Sequence, residues 1–220
     1  MTLFKICGLR DSSNAILARE NGASFLGFVF VPGVRRQISL ELALAIINDY
    51  RSEFGPGGPA LVGLFANQNV EEVNEIINAC DLDYAQLCGS EPESYWNKVD
   101  VDVIKQVKIG ASNTSETINA ELEKIYRAGC LPLLDKYEKG SLGGTGLSFD
   151  WEMVSEFNLS EKFLLAGGLN PENVNDAIRI SHPWTVDVSS GVETAGDKDP
   201  QKIISFANAV KTASVQGKEY

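Results

Sequence analysis

The sequence contains one histidine, His182, among 220 residues. Ser-His-Asp catalysis and histidine-rich metal sites would both have to use that residue. His182 lies in the stretch ISHPW, where the proline and the turn context predict an exposed surface position. The sequence therefore argues against histidine-based catalysis, and we expect no metal site.

Basic residues are also scarce, since 19 Lys and Arg stand against 30 Asp and Glu. The formal net charge is −11 and the sequence pI is about 4.6. Without a basic patch to neutralise phosphates, neither nucleic acid nor an anionic membrane is an expected partner. An anionic substrate must then be held by a local site. Hydrophobic residues make up 44% and charged residues 22%, which is typical of a soluble globular domain.

Long apolar runs and export signals are missing as well. The stretch FLGFVFVPGV is too short to span a bilayer, and the N-terminal MTLFKICGLR does not resemble a secretory signal. We therefore expect a cytoplasmic protein whose four cysteines, Cys7, Cys80, Cys88 and Cys130, are reduced thiols. Their spacing contains no C-x-x-C pair, which argues against a zinc site.

Eight short runs rich in β-branched and aromatic residues recur along the chain and predict buried parallel strands. They are LFKIC, FLGFVF, ALVGLF, DYAQLC, DVIKQVKI, LPLLD, FLLAG and TVDVSS, and they end near residues 7, 30, 65, 88, 109, 135, 166 and 188. Helical patterns lie between most of them, with predicted N-caps at Ser12 and Ser39 and first-turn prolines at Pro171 and Pro200. Residues 70–79 and 114–128 also read as helices, and 92–99 as a short one.

This alternation predicts an α/β protein with one compact (β/α)8 TIM barrel. A doubly wound sheet is the alternative, but eight evenly spaced strands without a second-domain linker favour closure. We predict a barrel domain over residues 1–213 and a flexible tail over 214–220.

In such barrels the chemistry lies at the carboxyl ends of the strands. Cys7 ends the first strand, and a period of two places Lys5 and Cys7 on the inner face opposite Phe4 and Ile6. A lone cysteine is usually a small core residue, and we interpret Cys80 and Cys130 in that way.

Two aspartates follow the same logic. Asp135 ends the sixth strand before a long polar loop, which makes a helix-capping role the weaker explanation. Asp187 lies between two valines of the eighth strand, so we expect it to face inward and contact substrate, although a buried structural acceptor is the alternative.

Glycine-rich segments follow the last three strands and predict a phosphate site, because small residues let backbone N–H groups approach an anion. The candidate phosphate-binding residues are Gly144, Gly146, Gly167, Gly168, Ser189, Ser190 and Gly191. Arg36 follows the second strand on the same rim, and its planar guanidinium suits a carboxylate. A solvated arginine is the alternative there, and the neighbouring Arg35 complicates the assignment.

The segments KICGLR, LGFVFVPGVRRQIS, VGLFANQ, LLDK with GGTG, LLAGGLNPENV and VDVSSGVE with the later GDKD occur in order along the chain. Together they resemble the phosphoribosylanthranilate isomerase family of tryptophan biosynthesis. One departure is that the fourth strand continues into Cys88-Gly89, where the family usually has a His-Gly pair.

The resemblance implies an Amadori rearrangement of an aminoaldose phosphate to an aminoketose phosphate, without metal or organic cofactor. It implies that Cys7 is the general base and Asp135 the general acid. It also implies that Arg36 binds the anthranilate carboxylate and that the glycine loops bind the phosphate. These roles call for a raised pKa at Asp135 and a lowered one at Cys7, toward which Lys5 can contribute. We expect a small-molecule substrate as partner and a monomer or homodimer.

Three other functions compete with this one. The related aminoaldose isomerase of histidine biosynthesis carries an aspartate at the end of its first strand, where this chain has Cys7. Metal-dependent sugar-phosphate epimerases need histidine ligands that one loop histidine cannot supply. A non-catalytic phosphate binder is disfavoured because both presumed catalytic residues are present.

Overall fold

Eight parallel strands form a closed barrel in chain order, and β8 pairs back onto β1. The computed structural model describes residues 1–55, 57–110, 113–136, 151–159 and 162–216. The strands are β1 (Leu3–Cys7), β2 (Phe25–Val29), β3 (Ala60–Phe65), β4 (Tyr84–Leu87), β5 (Asp102–Ile109), β6 (Leu131–Lys136), β7 (Leu164–Leu165) and β8 (Thr185–Val188). The predicted (β/α)8 barrel is confirmed.

Helices connect the strands on the outside of the barrel. They are α1 (Ser12–Glu20), α2 (Leu40–Phe54), α3 (Val70–Cys80), α4 (Glu93–Trp96), α5 (Ser115–Arg127), α6 (Val174–Ser181) and α7 (Pro200–Gln216). A 3₁₀ helix, Trp151–Glu156, precedes β7, and a small antiparallel pair, β9 (Glu193–Thr194) and β10 (Asp197–Lys198), follows β8. Because α7 ends at Gln216, the helix continues into the predicted tail, and residues 217–220 lie outside the described chain.

The helix starts follow capping chemistry, with two differences from the sequence prediction. The side chain of Ser39 accepts a hydrogen bond from the Leu42 amide, as expected of an N-cap. At α1 the cap is Asp11 rather than Ser12, because Asp11 has extended backbone and its carboxylate accepts from the Asn14 amide at 2.8 Å. Pro171 lies three residues before α6 rather than in its first turn.

The apolar core has two layers, divided by the period-two alternation of the strands. Phe4 and Ile6 belong to the outer layer between sheet and helices, where Phe4 packs edge-on against Phe206 of α7. Cys7 belongs to the inner layer within the barrel, and Lys5 is completely buried. The predicted facing of β1 is therefore confirmed.

Other predictions about single residues also hold. His182 is exposed and ends α6 with a φ of 48°. Cys80 and Cys130 are buried in the outer core layer.

None of the described helices is long and apolar enough to cross a membrane.

Candidate active site

A cavity of about 550 Å³ opens at the carboxyl ends of the strands, a size typical of sites for small ligands. Apolar, thiol, amide, carboxylate and guanidinium groups all contribute to its wall. The lining residues are Cys7, Val29, Val31, Val34, Arg35, Arg36, Leu64, Ala66, Gln86, Cys88, Gln106, Asp135, Ala166, Gly167, Gly168, Leu169, Asp187, Ser189 and Ser190.

Most of the candidate site residues meet in this cavity, although they come from five separate parts of the chain. Those that line it are Cys7, Arg36, Asp135, Gly167, Gly168, Asp187, Ser189 and Ser190. Gly191 does not line the cavity. Gly144 and Gly146 lie outside the described residues.

A buried ion pair lies beneath the thiol of Cys7. The Lys5 ammonium donates to Oδ2 of Asp187 at 3.1 Å and to Oε1 of Gln86 at 2.7 Å. A side-chain carbon placed at Gly27 would lie 3.0 Å from Sγ of Cys7 and 3.1 Å from Cε of Lys5, so these two side chains lie beside each other. Burial disfavours the charged ammonium, but Asp187 and Cys7 outweigh it and the pKa of Lys5 is raised. Lys5 is thus a fixed cation next to the thiol.

The pKa of Cys7 does not move in the predicted direction. Burial raises it, and the nearby Asp187 carboxylate adds to that rise. Lys5 and Lys198 act in the opposite sense, as the sequence indicated for Lys5, but burial outweighs them. Cys7 therefore rests as a neutral thiol beside a cation that favours its ionised form.

Asp135 has the raised pKa that a general acid needs. Burial raises it from 3.8 to about 6, and the negative charge of Asp187 acts in the same direction. A hydrogen bond of 2.6 Å from Nε2 of Gln106 to Oδ2 of Asp135 partly opposes this shift. At Gly167, whose φ is +89°, a side-chain carbon would lie 3.1 Å from Oδ1 of Asp135, so the glycine keeps the space beside that oxygen clear.

The guanidinium of Arg36, which follows β2, is held by a carboxylate of the segment that follows β8. These two strands lie on either side of β1. Nε and Nη2 of Arg36 donate to the two oxygens of Glu193 at 2.6 and 2.9 Å. Arg35 and Lys198 also donate to Glu193, at 2.5 and 2.9 Å. Of the two arginines, Arg36 has the more buried side chain, 15% exposed against 53% for Arg35, and it is the one that forms the two-pronged contact. Arg36 is therefore fixed at the cavity wall.

Three cations thus surround one carboxylate. Burial alone would raise the pKa of Glu193, but the hydrogen bond from Arg36 and the charge of Lys198 lower it to about 2. Lys198 also donates to the carbonyl oxygen of Ser189 at 2.9 Å. Although the chain carries a net charge of −11, this rim of the cavity is rich in cations, as a local anion site requires.

The loops after β7 and β8 pack closely against each other. A side-chain carbon at Gly191 would lie 1.9 Å from the carbonyl oxygen of Leu169, so no larger residue fits there without moving the backbone. The hydroxyl of Ser189 donates to the carbonyl oxygen of Cys7 at 3.0 Å and ties this loop to β1. Gly191 therefore shapes the loop that carries Ser189 and Ser190.

Cys88 lines the cavity as a buried thiol. Burial raises its pKa to about 12, so it is neutral near neutral pH. Nε2 of Gln86 donates to its sulfur at 3.5 Å. Cys88 supplies a small neutral surface rather than an acid or base.

Four side chains of this site are absent from the candidate list drawn from the sequence. They are Gln86, Gln106, Glu193 and Lys198. The two glutamines lie at inward-facing positions in the middle of β4 and β5, so strand alternation could have found them once positions before the strand ends were considered. No local signal indicates that Glu193 pairs with Arg36, which is 157 residues away in the chain.

Comparison with known proteins gives a consistent result. The family model described as N-(5'-phosphoribosyl)anthranilate isomerase matches residues 4–209. The N-(5'-phosphoribosyl)anthranilate isomerase of Dehalococcoides mccartyi is 43% identical over 212 residues, which cover 95% of each chain.

Solved structures agree with these sequence matches. The phosphoribosyl anthranilate isomerase of Thermotoga maritima superposes with a TM-score of 0.82 at 34% identity, covering 96% of this chain and 100% of that one. A phosphoribosyl anthranilate isomerase in complex with reduced 1-(o-carboxyphenylamino)-1-deoxyribulose 5-phosphate gives 0.78 at 32% identity, with the same coverage. By sequence and by fold, this chain belongs to the phosphoribosylanthranilate isomerase family.

Proposed function

We propose that this protein catalyses the reaction for which its family is named, the Amadori rearrangement of N-(5-phosphoribosyl)anthranilate to 1-(2-carboxyphenylamino)-1-deoxyribulose 5-phosphate in tryptophan biosynthesis. Cys7 is the general base and Asp135 the general acid. The observation that carries this proposal is the presence, in one cavity, of a buried carboxyl group with a pKa of about 6 and a thiol beside a buried ammonium. No metal or organic cofactor takes part in the proposed reaction.

The first step opens the sugar ring. Protonated Asp135 gives its proton to the ring oxygen, the bond between C1 and that oxygen breaks, and the lone pair of the amine nitrogen forms a protonated imine. Burial of Asp135 keeps a larger share of the carboxyl protonated near neutral pH than in water, which favours this donation.

The second step forms the ketone. The thiolate of Cys7 removes the proton from C2, the electrons of that bond form a C1–C2 double bond, and the imine electrons return to nitrogen. The enolamine then gains a proton at C1 and loses the one on its C2 hydroxyl. Lys5 stabilises the thiolate by its charge, and the catalytic groups regain their starting protonation by exchange with solvent.

The two anionic groups of the substrate are assigned to two parts of the rim. We place the anthranilate carboxylate at Arg36, whose orientation Glu193 fixes. The phosphate lies at the loops after β7 and β8, where Gly167, Gly168, Ser189 and Ser190 line the cavity. Gly144 and Gly146, predicted for the same phosphate site, stay a prediction because they lie outside the described residues.

Product analysis tests the reaction itself. The product formed in water must have the same mass as the substrate, and the product formed in deuterium oxide must carry deuterium on carbon, because the enolamine takes its C1 proton from exchangeable groups. Release of anthranilate at the rate seen without protein, with no ketose formed, would contradict the proposed function.

The pH dependence of kcat/KM tests the two catalytic roles. In the active form Asp135 is protonated and Cys7 is ionised. In the resting form Asp135 is ionised and Cys7 is a neutral thiol, so both forms carry the same number of protons. Activity therefore rises through the pKa of Asp135, at about 6, and falls through the raised pKa of Cys7. Replacing Cys7 with serine should remove the alkaline limb from the measurable range. An unchanged profile would refute the thiolate role.

Substitution of Arg36 by lysine tests the carboxylate site. Lysine keeps the charge but loses the planar fork, so we expect KM to rise by about 10–100-fold with kcat largely retained. Arg35→Lys is the matched control and should change KM far less, since Arg35 is more exposed. A fall in kcat at constant KM would assign Arg36 to the chemical step instead.

We propose a small-molecule substrate as the binding partner. That the protein is a monomer or a homodimer stays a prediction. We also propose a cytoplasmic location, which the four buried, unpaired thiols support.

A further inference from the structure

Gln106 of β5 lies next to the proposed general acid and lines the cavity. It is 7% exposed. Nε2 of its amide donates a hydrogen bond to Oδ2 of Asp135 at 2.6 Å. Its other polar atom, Oε1, is buried and has no hydrogen-bond partner among the described residues. A buried acceptor without a donor is costly in a folded protein, so this oxygen calls for an explanation.

We propose that Gln106 is a substrate-positioning residue of the isomerase, which holds Asp135 through Nε2 and accepts a hydrogen bond from a hydroxyl of the sugar through Oε1. The inference rests on the proposed function, because it takes Asp135 as the acid and an aminoaldose phosphate as the substrate. It adds a contact that the sequence motifs do not indicate.

The hydrogen bond from Gln106 favours one oxygen of Asp135 as the site of the acidic proton. Because Oδ2 accepts from Gln106, we assign the acidic proton to Oδ1. This is the oxygen beside Gly167, where the missing side chain leaves space next to the carboxyl group. Gln106 therefore keeps the proton of Asp135 on the oxygen next to Gly167, a residue that lines the cavity.

Oε1 of Gln106, the oxygen without a partner among the described residues, supplies the proposed contact with the substrate. Sugar hydroxyls are hydrogen-bond donors, and Oε1 of Gln106 is an acceptor only. Oδ1 of Asp187, also at the cavity wall, is likewise buried, and no residue that the structure describes donates a hydrogen bond to it. Two acceptors on different strands suit a ligand rich in hydroxyl groups, and the one on Gln106 places a hydroxyl next to the acid that opens the ring.

The titration of Asp135 tests the first contact. The groups that act on this carboxyl are Asp187 of β8, Lys108 of β5, the amide of Gln106 and the backbone of Lys136. Gln106→Met keeps the length of the side chain but removes the donor that stabilises the ionised form. The acid limb of kcat/KM should therefore move to higher pH by about one unit.

A matched variant exists on the neighbouring strand. Gln86 is also a buried, inward-facing glutamine, but its oxygen accepts from Lys5 and its nitrogen contacts Cys88. Gln86→Met should leave the acid limb where it is. If Gln106 had a purely structural role, Gln106→Met would move neither limb of the pH profile. General loosening of the barrel would not act on Asp135 alone.

Gln106→Glu separates the two contacts. The introduced carboxylate keeps an acceptor for the sugar hydroxyl, but it lies against Asp135, and two carboxylates at hydrogen-bond distance raise the pKa of one of them. The acid limb should then move further than in Gln106→Met. The affinity for the reduced product analogue, measured by calorimetry, should fall about tenfold in Gln106→Met and be retained in Gln106→Glu.

Carbon-13 NMR of the Asp135 carboxyl reports its pKa without relying on turnover. A wild-type protein with no isomerase activity would defeat the proposed function, whereas the NMR titration would still test the contact between Gln106 and Asp135. An active wild type with an unshifted Asp135 titration and unchanged analogue affinity in Gln106→Met would overturn this inference. Thermal unfolding of each variant confirms that the measurements refer to folded protein.

Discussion

Replacing Asp135 with asparagine is expected to lower kcat by about 10²–10⁴-fold, the usual contribution of one general acid or base. Asparagine has nearly the same shape but cannot deliver a proton to the ring oxygen, so the ring-opening step loses its acid. The hydrogen bond from Gln106 can be kept, because the amide oxygen of asparagine also accepts. Binding of the reduced product analogue should therefore remain close to that of the wild type.

Cys7→Ala should give a loss of similar size for a different reason. The methyl group cannot remove the proton from C2, while Lys5 and Asp187 stay paired below it. Single-turnover kinetics separate binding from chemistry in both variants. Loss of analogue binding with turnover preserved would overturn both assignments.

Lys105→Met is expected to have the largest effect on stability. Nζ of Lys105 donates to Oε2 of Glu91 and to the carbonyl oxygen of Gly89, both at 2.7 Å. The side chains of Lys105 and Glu91 are 5% and 2% exposed. Removing the cation leaves a buried carboxylate without its partner, which costs about 3–5 kcal/mol in comparable pairs. Urea unfolding should show a lower midpoint with an unchanged slope.

Two further variants make this result specific. Lys98→Met changes an exposed lysine just after α4, and its free energy of unfolding should stay within about 0.5 kcal/mol of the wild type. Adding Glu91→Gln to Lys105→Met removes the stranded charge and should recover part of the loss. A loss in Lys105→Met as small as that in Lys98→Met would show that the pair contributes little.

The position of the pair links stability to the site. Oε1 of Glu91 also accepts from the amides of Asn67 and Gly89, so one buried carboxylate holds the loops after β3 and β4 together. Cys88, which lines the cavity, lies at the start of the second loop. The network keeps a part of the cavity wall in place.

The barrel could be predicted from the sequence because its signals are local. Apolar runs such as LPLLD mark strands, and Ser39 and Pro200 mark helix starts by their own chemistry. The incorrect prediction of the first N-cap also concerns neighbouring residues. Asp11 and Ser12 are adjacent residues that can both cap a helix, and the backbone conformation that decides between them is not visible in the sequence.

The site was predictable where it follows from strand ends. Cys7, Asp135 and Asp187 lie at or near such ends and face inward, so alternation and position place them together in the cavity. Gln106 lies in the middle of a strand, and the pairing of Arg36 with Glu193 joins distant parts of the chain.

The direction in which the pKa of Cys7 moves could not be predicted from the sequence, for a different reason. A neighbouring lysine can be read from the sequence, but the extent of burial, which raises this pKa, follows only from the packed barrel. Burial also raises the pKa of Asp135, in the direction that its proposed role as general acid requires.

The fluorescence of N-(5-phosphoribosyl)anthranilate gives the most direct test of the central claim, that Cys7 and Asp135 make this protein an isomerase. The labile substrate is generated in place from anthranilate and phosphoribosyl pyrophosphate by the preceding transferase, and a sample without this protein corrects for spontaneous decay. We predict rapid loss of fluorescence with the wild type and almost none above the control with Cys7→Ala. Decay at the control rate with the wild type, while it still binds the reduced product analogue, would contradict the claim and identify a non-catalytic binder.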